Sequence, residues 1–150
     1  MKRSSTRAAL LAGSPDEVEA AFYEALQNAD VDRLMACWAD DDDVFCLHPG
    51  SSARVVGVAA IREVFTVMLE RGGLNVRAAE VVRIQALTSA VHNVIEHVQV
   101  QLPDGPHEAL VFATNVYQKT PQGWRIVAHH ASAGKLGDAS AQPVSAHVLH

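Results

Sequence analysis

The histidines that stand in or beside apolar strands are the residues of this sequence best suited to chemistry. His48 follows the apolar run 44–47 and precedes a Pro-Gly turn, and His130 lies in the apolar run 124–132. An imidazole titrates near neutral pH, so it can take up and return a proton under working conditions. If the two strands share one curved sheet, His48 and His130 can face one cavity and act there as acid and base.

The strand pattern alone leaves the role of these histidines open. Successive side chains of a strand alternate between its two faces, so the neighbours His129 and His130 cannot both enter one cavity. A structural interpretation is that His48 bonds its own Pro-Gly turn and that His130 is a core histidine with a satisfied hydrogen bond. Both the catalytic and the structural interpretation remain open at this point.

The motifs do not predict a metal site or a nucleotide cofactor. A metal site needs three or four converging ligands, and the sequence lacks a short spacing such as H-x-x-x-H. His92, His97 and His107 are spread along one predicted hairpin and form no recognisable set. The acids at 40–43 lack the alternating ligand spacing of a calcium loop, which favours a solvated turn. No glycine-rich loop joins a strand to a helix, as a nucleotide site requires.

Three helices are expected in the first half of the chain. The segment 14–17, Ser-Pro-Asp-Glu, has the composition of a capping box and begins a helix that runs to about residue 28. Asp30 caps a second, shorter helix, and a third covers 58–70 before a pair of glycines. Each helix has one apolar face, so each packs on one side against the rest of the domain.

The second half of the chain predicts four consecutive antiparallel strands. Four segments are rich in β-branched residues and are separated by turn residues: 74–87, 91–102, 108–119 and 124–132. Helices followed by a run of long strands indicate an α+β fold, with the helices gathered on one side of an antiparallel sheet. A strongly bent sheet and the helices would then enclose a pocket.

Composition limits the partners of the chain. Its 150 residues, 49% of them hydrophobic, suit one globular domain, expected at 14–133 between a disordered segment 1–13 and a mobile tail 134–150. The net charge of −5 and the lack of a Lys and Arg cluster make nucleic acid an unexpected partner. No apolar run is long enough for a membrane helix, so we expect no membrane contact and a cytoplasmic location. Cys37 and Cys46 are expected to be buried free thiols.

Three stretches of the sequence carry a family resemblance. They are AFYEALQNADVDRLMACWADDDDV, HPGSSARVVGVAAIREVF and GWRIVAHHAS. Through them, Pro15 to about Ser132 resembles the SnoaL-like and ketosteroid-isomerase-like group of the nuclear transport factor 2 superfamily. The resemblance implies a cone-shaped α+β barrel, built from a strongly curved, mixed and mainly antiparallel sheet with three helices that enclose a pocket. The group includes isomerases, cyclases, dehydratases, ligand binders and oligomerising domains, so the scaffold does not define the chemistry.

The isomerase pattern of that group matches this sequence in part. Its helix tyrosine aligns with Phe22, with Tyr23 one step round the helix, and its late-strand acid aligns with Asn115. Its proton-transferring aspartate aligns with His48. His48 therefore places an imidazole where those isomerases have their base, and Asn115 places an amide where they have one acidic hydrogen-bond donor. These differences do not favour steroid isomerisation.

The resemblance also implies which strand residues face the pocket. It places His130 and Ser132 inward and His129 on the outer face. The predicted catalytic residues are therefore His48, His130 and Asn115. The predicted substrate-binding residues are Phe22, Trp38, Phe65, Tyr117 and Ser132.

Two functions are consistent with this site. The first is a cofactor-independent isomerase, cyclase or dehydratase that acts by histidine-mediated proton transfer on a small apolar carbonyl compound. The second is a non-catalytic ligand-binding or dimerisation module with the same cavity.

The outer face of the late strands is expected to form a homodimer. Leu110, Phe112 and Val116 share the outward parity of one strand, and Val127 and Ala131 flank His129 on the next. Such an apolar face favours contact with a second copy of the chain.

Overall fold

A computed structural model describes residues 13–138 of the chain, with side chains described as far as residue 134. The predictions for residues 1–12 and for the tail from residue 139 lie outside the described part. Within that part, no helix is both long and apolar enough to cross a membrane.

Three helices form where the sequence predicts them. They are α1 (Pro15–Asn28), α2 (Val31–Ala36) and α3 (Val58–Met68). The Ser14 hydroxyl accepts a hydrogen bond of 3.1 Å from the Glu17 amide and begins α1. The Asp30 carboxylate accepts one of 3.0 Å from the Arg33 amide and begins α2. Both caps satisfy amides that a helix start leaves without partners.

Six strands form one mixed sheet. They are β1 (Phe45–Leu47), β2 (Val55–Val56), β3 (Val76–Gln85), β4 (Ser89–Leu102), β5 (Gly105–Thr120) and β6 (Gly123–Asp138), in the spatial order β2-β1-β6-β5-β4-β3. Among the strands of residues 13–138, only the β1–β6 pair is parallel, which confirms the α+β fold with a mainly antiparallel sheet. This confirms the predicted cone-shaped α+β fold; the edge strands β2 and β3 do not pair, so its curved sheet stays open at that edge.

The core lies between the helices and the concave face of the sheet. Val18 and Phe22 of α1 and Ile61 and Phe65 of α3 have at most 1% of their surface exposed. Alternate residues of the long strands are buried against them: Ala90, Val94, Ala113, Tyr117 and Ile126. This alternation identifies the concave face of β4 and β5.

A β-bulge changes the parity of β6. Val116 pairs with Ala128, whereas the next residue, Tyr117, pairs with Ile126. Val127 is therefore an extra residue on β6, opposite no partner. Because side chains alternate with a period of two, one extra residue exchanges the faces of every residue that follows it.

The bulge corrects the predicted orientation of the two neighbouring histidines. His129 pairs with Asn115 and is buried on the concave face, whereas His130 pairs with Thr114 and is exposed. Ser132 is exposed as well, and Ala131 is buried. The predictions that His130 and Ser132 face inward, and that His129 and Ala131 face outward, are therefore wrong.

The last strand is longer than predicted. β6 continues to Asp138, beyond the expected domain boundary at residue 133. The residues 136–138 pair with 107–109 of β5, so they extend the same hairpin. The bulge between Ala109 and Val111 occurs where this extension begins.

Diethyl pyrocarbonate, which acylates accessible imidazoles, is expected to modify His130 much faster than His129. Only 3% of the His129 surface is exposed. Tandem mass spectrometry of timed reactions, run at a protein concentration at which the chain is monomeric, measures the two rates, and the His130→Gln variant should lose the fast modification. Equal rates, or faster modification of His129, would contradict the bulged register.

Candidate functional site

A row of polar side chains crosses the concave face of the sheet. His92 of β4 pairs with Asn115 of β5, Asn115 pairs with His129 of β6, and His129 pairs with Cys46 of β1. All four residues are buried. Buried polar groups are stable only with hydrogen-bond partners, so their contacts determine what this face can do.

A chain of side-chain hydrogen bonds connects this row to helix α1. The Tyr23 hydroxyl donates to Glu96 Oε2 at 2.7 Å. Asn115 Nδ2 donates to the Tyr23 oxygen at 3.2 Å, and Asn115 Oδ1 lies 2.5 Å from His129 Nδ1. The buried chain thus runs from Glu96 through Tyr23 and Asn115 to His129.

The direction of this chain defines the His129 tautomer. The Tyr23 hydroxyl donates to the Glu96 carboxyl group, and the Tyr23 oxygen accepts from the Asn115 amide nitrogen. Asn115 then presents its carbonyl oxygen to His129, which must donate from Nδ1. The neutral ring consequently carries its free lone pair on Nε2.

His48 lies directly beside His129. The centroids of their rings are 5.4 Å apart, and the His48 ring meets the Phe65 ring edge to face at 5.2 Å. His48 is half-buried, and its side chain makes no hydrogen bond within the described part of the chain. The Pro-Gly turn is bonded by its backbone instead, with the Ser51 amide donating to the His48 carbonyl.

Burial controls the protonation of these groups. Desolvation lowers the pKa of His129 to about 3, with smaller contributions from charge on His48 and His130. Desolvation also lowers the pKa of His48. It raises the pKa of Glu96, against an opposing effect of the Tyr23 hydrogen bond. Both imidazoles are therefore neutral at pH 7.

The predicted site residues fall into separate groups. Phe22 packs against His129, with ring centroids 5.5 Å apart, and against Phe65. Tyr117 instead packs against His92 at 4.8 Å. The other predicted residues are Trp38, buried beside Ile126, and the exposed His130 and Ser132. His48, Asn115, Phe22 and Phe65 thus come together around His129.

Sequence reasoning missed Tyr23, Glu96 and His129 as site residues. Glu96 follows Val94 by two residues and therefore lies on the same buried face of β4. An acid at such a core position could have indicated a site residue. Tyr23 is the neighbour of Phe22, the residue predicted to line the site. It is nevertheless the Tyr23 hydroxyl that contacts Asn115. No sequence signal marks the bulge that turns His129 inward.

A second polar cluster lies at the start of α1. The buried Glu19 carboxylate contacts His92 Nδ1 at 2.7 Å, and Asp16 Oδ1 lies 3.8 Å from His92 Nε2. Arg83 Nε donates to Asp16 at 2.7 Å. A cleft of about 450 Å³ is lined by Asp16, Glu19 and Arg83 among other residues.

The two cysteines are free and buried. Desolvation raises the pKa of the Cys37 thiol to about 12 and that of the Cys46 thiol to about 11. Both are therefore protonated at neutral pH, which makes them poor nucleophiles although Cys46 belongs to the polar row.

Two of the solved structures similar to this chain are at least 25% identical to it in sequence. One, from Thiobacillus denitrificans, is described as a candidate calcium/calmodulin-dependent protein kinase type II association domain. It is 33% identical in sequence and has a TM-score of 0.72, and the match covers 81% of this chain and 96% of that one. The other, from Streptomyces avermitilis, is described as a candidate dehydratase of the NTF2-like family; it is 25% identical with a TM-score of 0.68, over 78% and 91% of the two chains.

Further comparisons define the family. A candidate ketosteroid isomerase from Parabacteroides distasonis shares the fold, with 22% identity and a TM-score of 0.64 over 81% of this chain and 88% of that one. No curated protein matches the chain. The family model of the SnoaL-like domain matches residues 16–134. The chain therefore belongs to the SnoaL-like family of the nuclear transport factor 2-like superfamily.

Proposed function

We propose that this protein is an enzyme that transfers a proton within a small, mostly apolar carbonyl compound, with His48 as the general acid and base. The reaction class would be isomerisation, cyclisation or dehydration. The observation that carries the proposal is the contact between His48 and a second imidazole, His129, that a buried hydrogen-bond chain holds in one tautomer.

His48 is the better proton carrier of the pair. It is half-buried and has no competing side-chain hydrogen bond within the described residues, so its ring nitrogens remain available to a ligand. Burial lowers its pKa, which keeps the ring neutral and basic at pH 7. The apolar ring of Phe65 limits the water around it.

His129 and Asn115 act as positioning residues in this proposal. A pKa of about 3 makes His129 too weak a base for proton abstraction at neutral pH, but its Nε2 lone pair can accept a hydrogen bond. Asn115 uses both ends of its amide, toward His129 and toward Tyr23. Asn115, predicted above as a catalytic residue, therefore fixes the His129 ring in this proposal instead of contacting the substrate.

Relatives support the enzyme class in general terms. The Streptomyces avermitilis relative is described as a dehydratase and the Parabacteroides distasonis structure as a ketosteroid isomerase, each as a candidate. Both reactions remove a proton beside a carbonyl or hydroxyl group, which suits a neutral imidazole. A cytoplasmic location stays a prediction.

The His48→Gln variant should lose catalysis of proton exchange. A panel of small enolisable ketones is incubated in D₂O with the protein, and mass spectrometry measures deuterium incorporation at the carbon beside the carbonyl. Loss of a general base lowers such a rate roughly 100-fold or more. His130→Gln is the matched control, because this exposed neighbour should leave the rate unchanged.

The wild-type exchange rate should also depend on pH in a defined direction. Neutral His48 is the active form and its pKa is lowered by burial, so the rate should stay high at pH 6.5 and fall only at lower pH. No exchange above buffer with any ketone of the panel, or an unchanged rate in His48→Gln, would contradict the proposal.

We also propose that the chain assembles through the convex face of its sheet. The convex patch consists of outward side chains on three adjacent strands: Val82, Ile84, Val91, Ile95, Phe112 and Val116. Val82 is 62% and Ile84 69% exposed, and the other four are half-buried in the single chain. Asn93 and Thr114, which hydrogen-bond to each other, lie between the apolar rows of this face. Exposed apolar side chains grouped in this way are typical of a contact site.

The Thiobacillus denitrificans relative is consistent with assembly, since its description names an association domain. A two-fold homodimer that packs one convex patch on the other is the simplest closed arrangement. The predicted outer-face residues Leu110, Phe112 and Val116 keep the outward parity that this arrangement needs. His129 takes no part in it, because it lies on the concave face.

The Phe112→Asp variant should be monomeric at micromolar concentration, whereas the wild type should be a dimer. The charge lies within the convex patch, beside Ile95, where desolvation on association would be costly. Light scattering coupled to size exclusion measures both, with Gln122→Asp as the matched control in the exposed turn that follows the same strand. A monomeric wild type, or a dimeric Phe112→Asp variant, would contradict this interface.

A further inference from the structure

We propose that Asp16, Glu19 and His92 form a binding site for a divalent cation of the zinc class. His92 Nε2 and the Asp16 carboxylate would be the protein ligands, and Glu19 would hold the His92 ring in place. The site is separate from the His48 centre and does not depend on the proton-transfer function.

The three side chains come together without rearrangement of the core. Asp16 and Glu19 are three residues apart on α1 and therefore share one face of the helix, and His92 faces them from β4. One possible ligand atom from each residue lies within 4.8 Å of the others. The cluster combines an imidazole with carboxylates, a donor set that suits zinc and its neighbours in the first transition row.

The His92 ring supplies an independent indication of a ligand. Its surface is fully buried, and its Nε2 atom has no hydrogen-bond partner among the described residues. The Glu19 carboxylate binds Nδ1 and so keeps the proton there, which leaves a lone pair on Nε2. A carboxylate behind a histidine in this way is the usual support of a metal-binding imidazole.

The distance between Nε2 and Asp16 suits one bound ion. Both atoms are electron-pair donors, and 3.8 Å is too long for a hydrogen bond between them. Zinc binds nitrogen and carboxylate oxygen at about 2.0 to 2.2 Å, so two ligands of one ion lie no more than about 4.2 Å apart. Water molecules from the 450 Å³ cleft that Asp16 and Glu19 line would complete the coordination on the Asp16 side of the ion.

Arg83 competes with the cation for Asp16. Its Nε atom donates to Asp16 Oδ1 at 2.7 Å, and the two side chains are 47% and 59% exposed. Exposed ion pairs of this kind contribute little to stability, so Arg83 can swing into solvent when a cation binds. Removing Arg83 should therefore strengthen cation binding, an effect that a surface histidine elsewhere on the chain would not produce.

Isothermal titration of the untagged full chain with Zn²⁺ tests the site. We expect one binding event whose Kd increases at least about 10-fold in Asp16→Asn and decreases several-fold in Arg83→Gln. Arg77→Gln is the matched control, since Arg77 lines the same cleft and, among the described residues, forms no ion pair with Asp16. These exposed substitutions leave the buried His92–Glu19 pair intact, so folding is not at risk.

Nitrogen-15 NMR identifies the ligand atom. Zn²⁺ should shift the His92 Nε2 resonance and leave Nδ1 protonated. The proposal is overturned if Zn²⁺ does not bind, if Asp16→Asn and Arg83→Gln bind it with wild-type affinity, or if the shifted resonances belong to other histidines.

Discussion

A buried hydrogen-bond chain holds the concave face of this protein in one arrangement. Its members, Glu96, Tyr23, Asn115 and His129, come from β4, α1, β5 and β6, so the chain joins the first helix to three strands. Leaving one buried member without its partner costs about 1 to 3 kcal/mol. Each residue therefore restricts the orientation of the next. The last of them is His129, whose imidazole contacts His48.

Regular alternation made the fold and part of the site predictable from the sequence. The parity of β5 is uninterrupted between Ala113 and Tyr117, and Asn115 consequently faces inward as expected. The same rule failed on β6 because Val127 is an extra residue in the pairing with β5. Valine is an ordinary strand residue, so nothing in the local sequence distinguishes this bulge from a regular strand. Only the pairing with β5 shows that His129, rather than His130, lies inside.

Helix α1 shows a second limit of prediction from sequence. Asp16, Glu19 and Tyr23 are three and four residues apart and form one polar stripe beside the apolar stripe that contains Phe22. Glu19 contacts His92 and Tyr23 contacts Glu96, each 73 residues further along the chain. Glu19 and Tyr23 are four residues apart on the helix, and His92 and Glu96 are four residues apart on the strand. Residues four apart lie on the same face of a helix and also on the same face of a strand. The spacing is visible in the sequence, but the match between the two stripes requires the fold.

The tautomer of His129 tests most directly whether the buried chain organises the site. Nitrogen-15 NMR at pH 8 should show His129 neutral, with the proton on Nδ1 and a bare Nε2. The Glu96→Leu variant, which removes the terminal acceptor, should lose this single tautomer. A wild-type His129 that carries its proton on Nε2, or a tautomer unchanged by Glu96→Leu, would contradict the account.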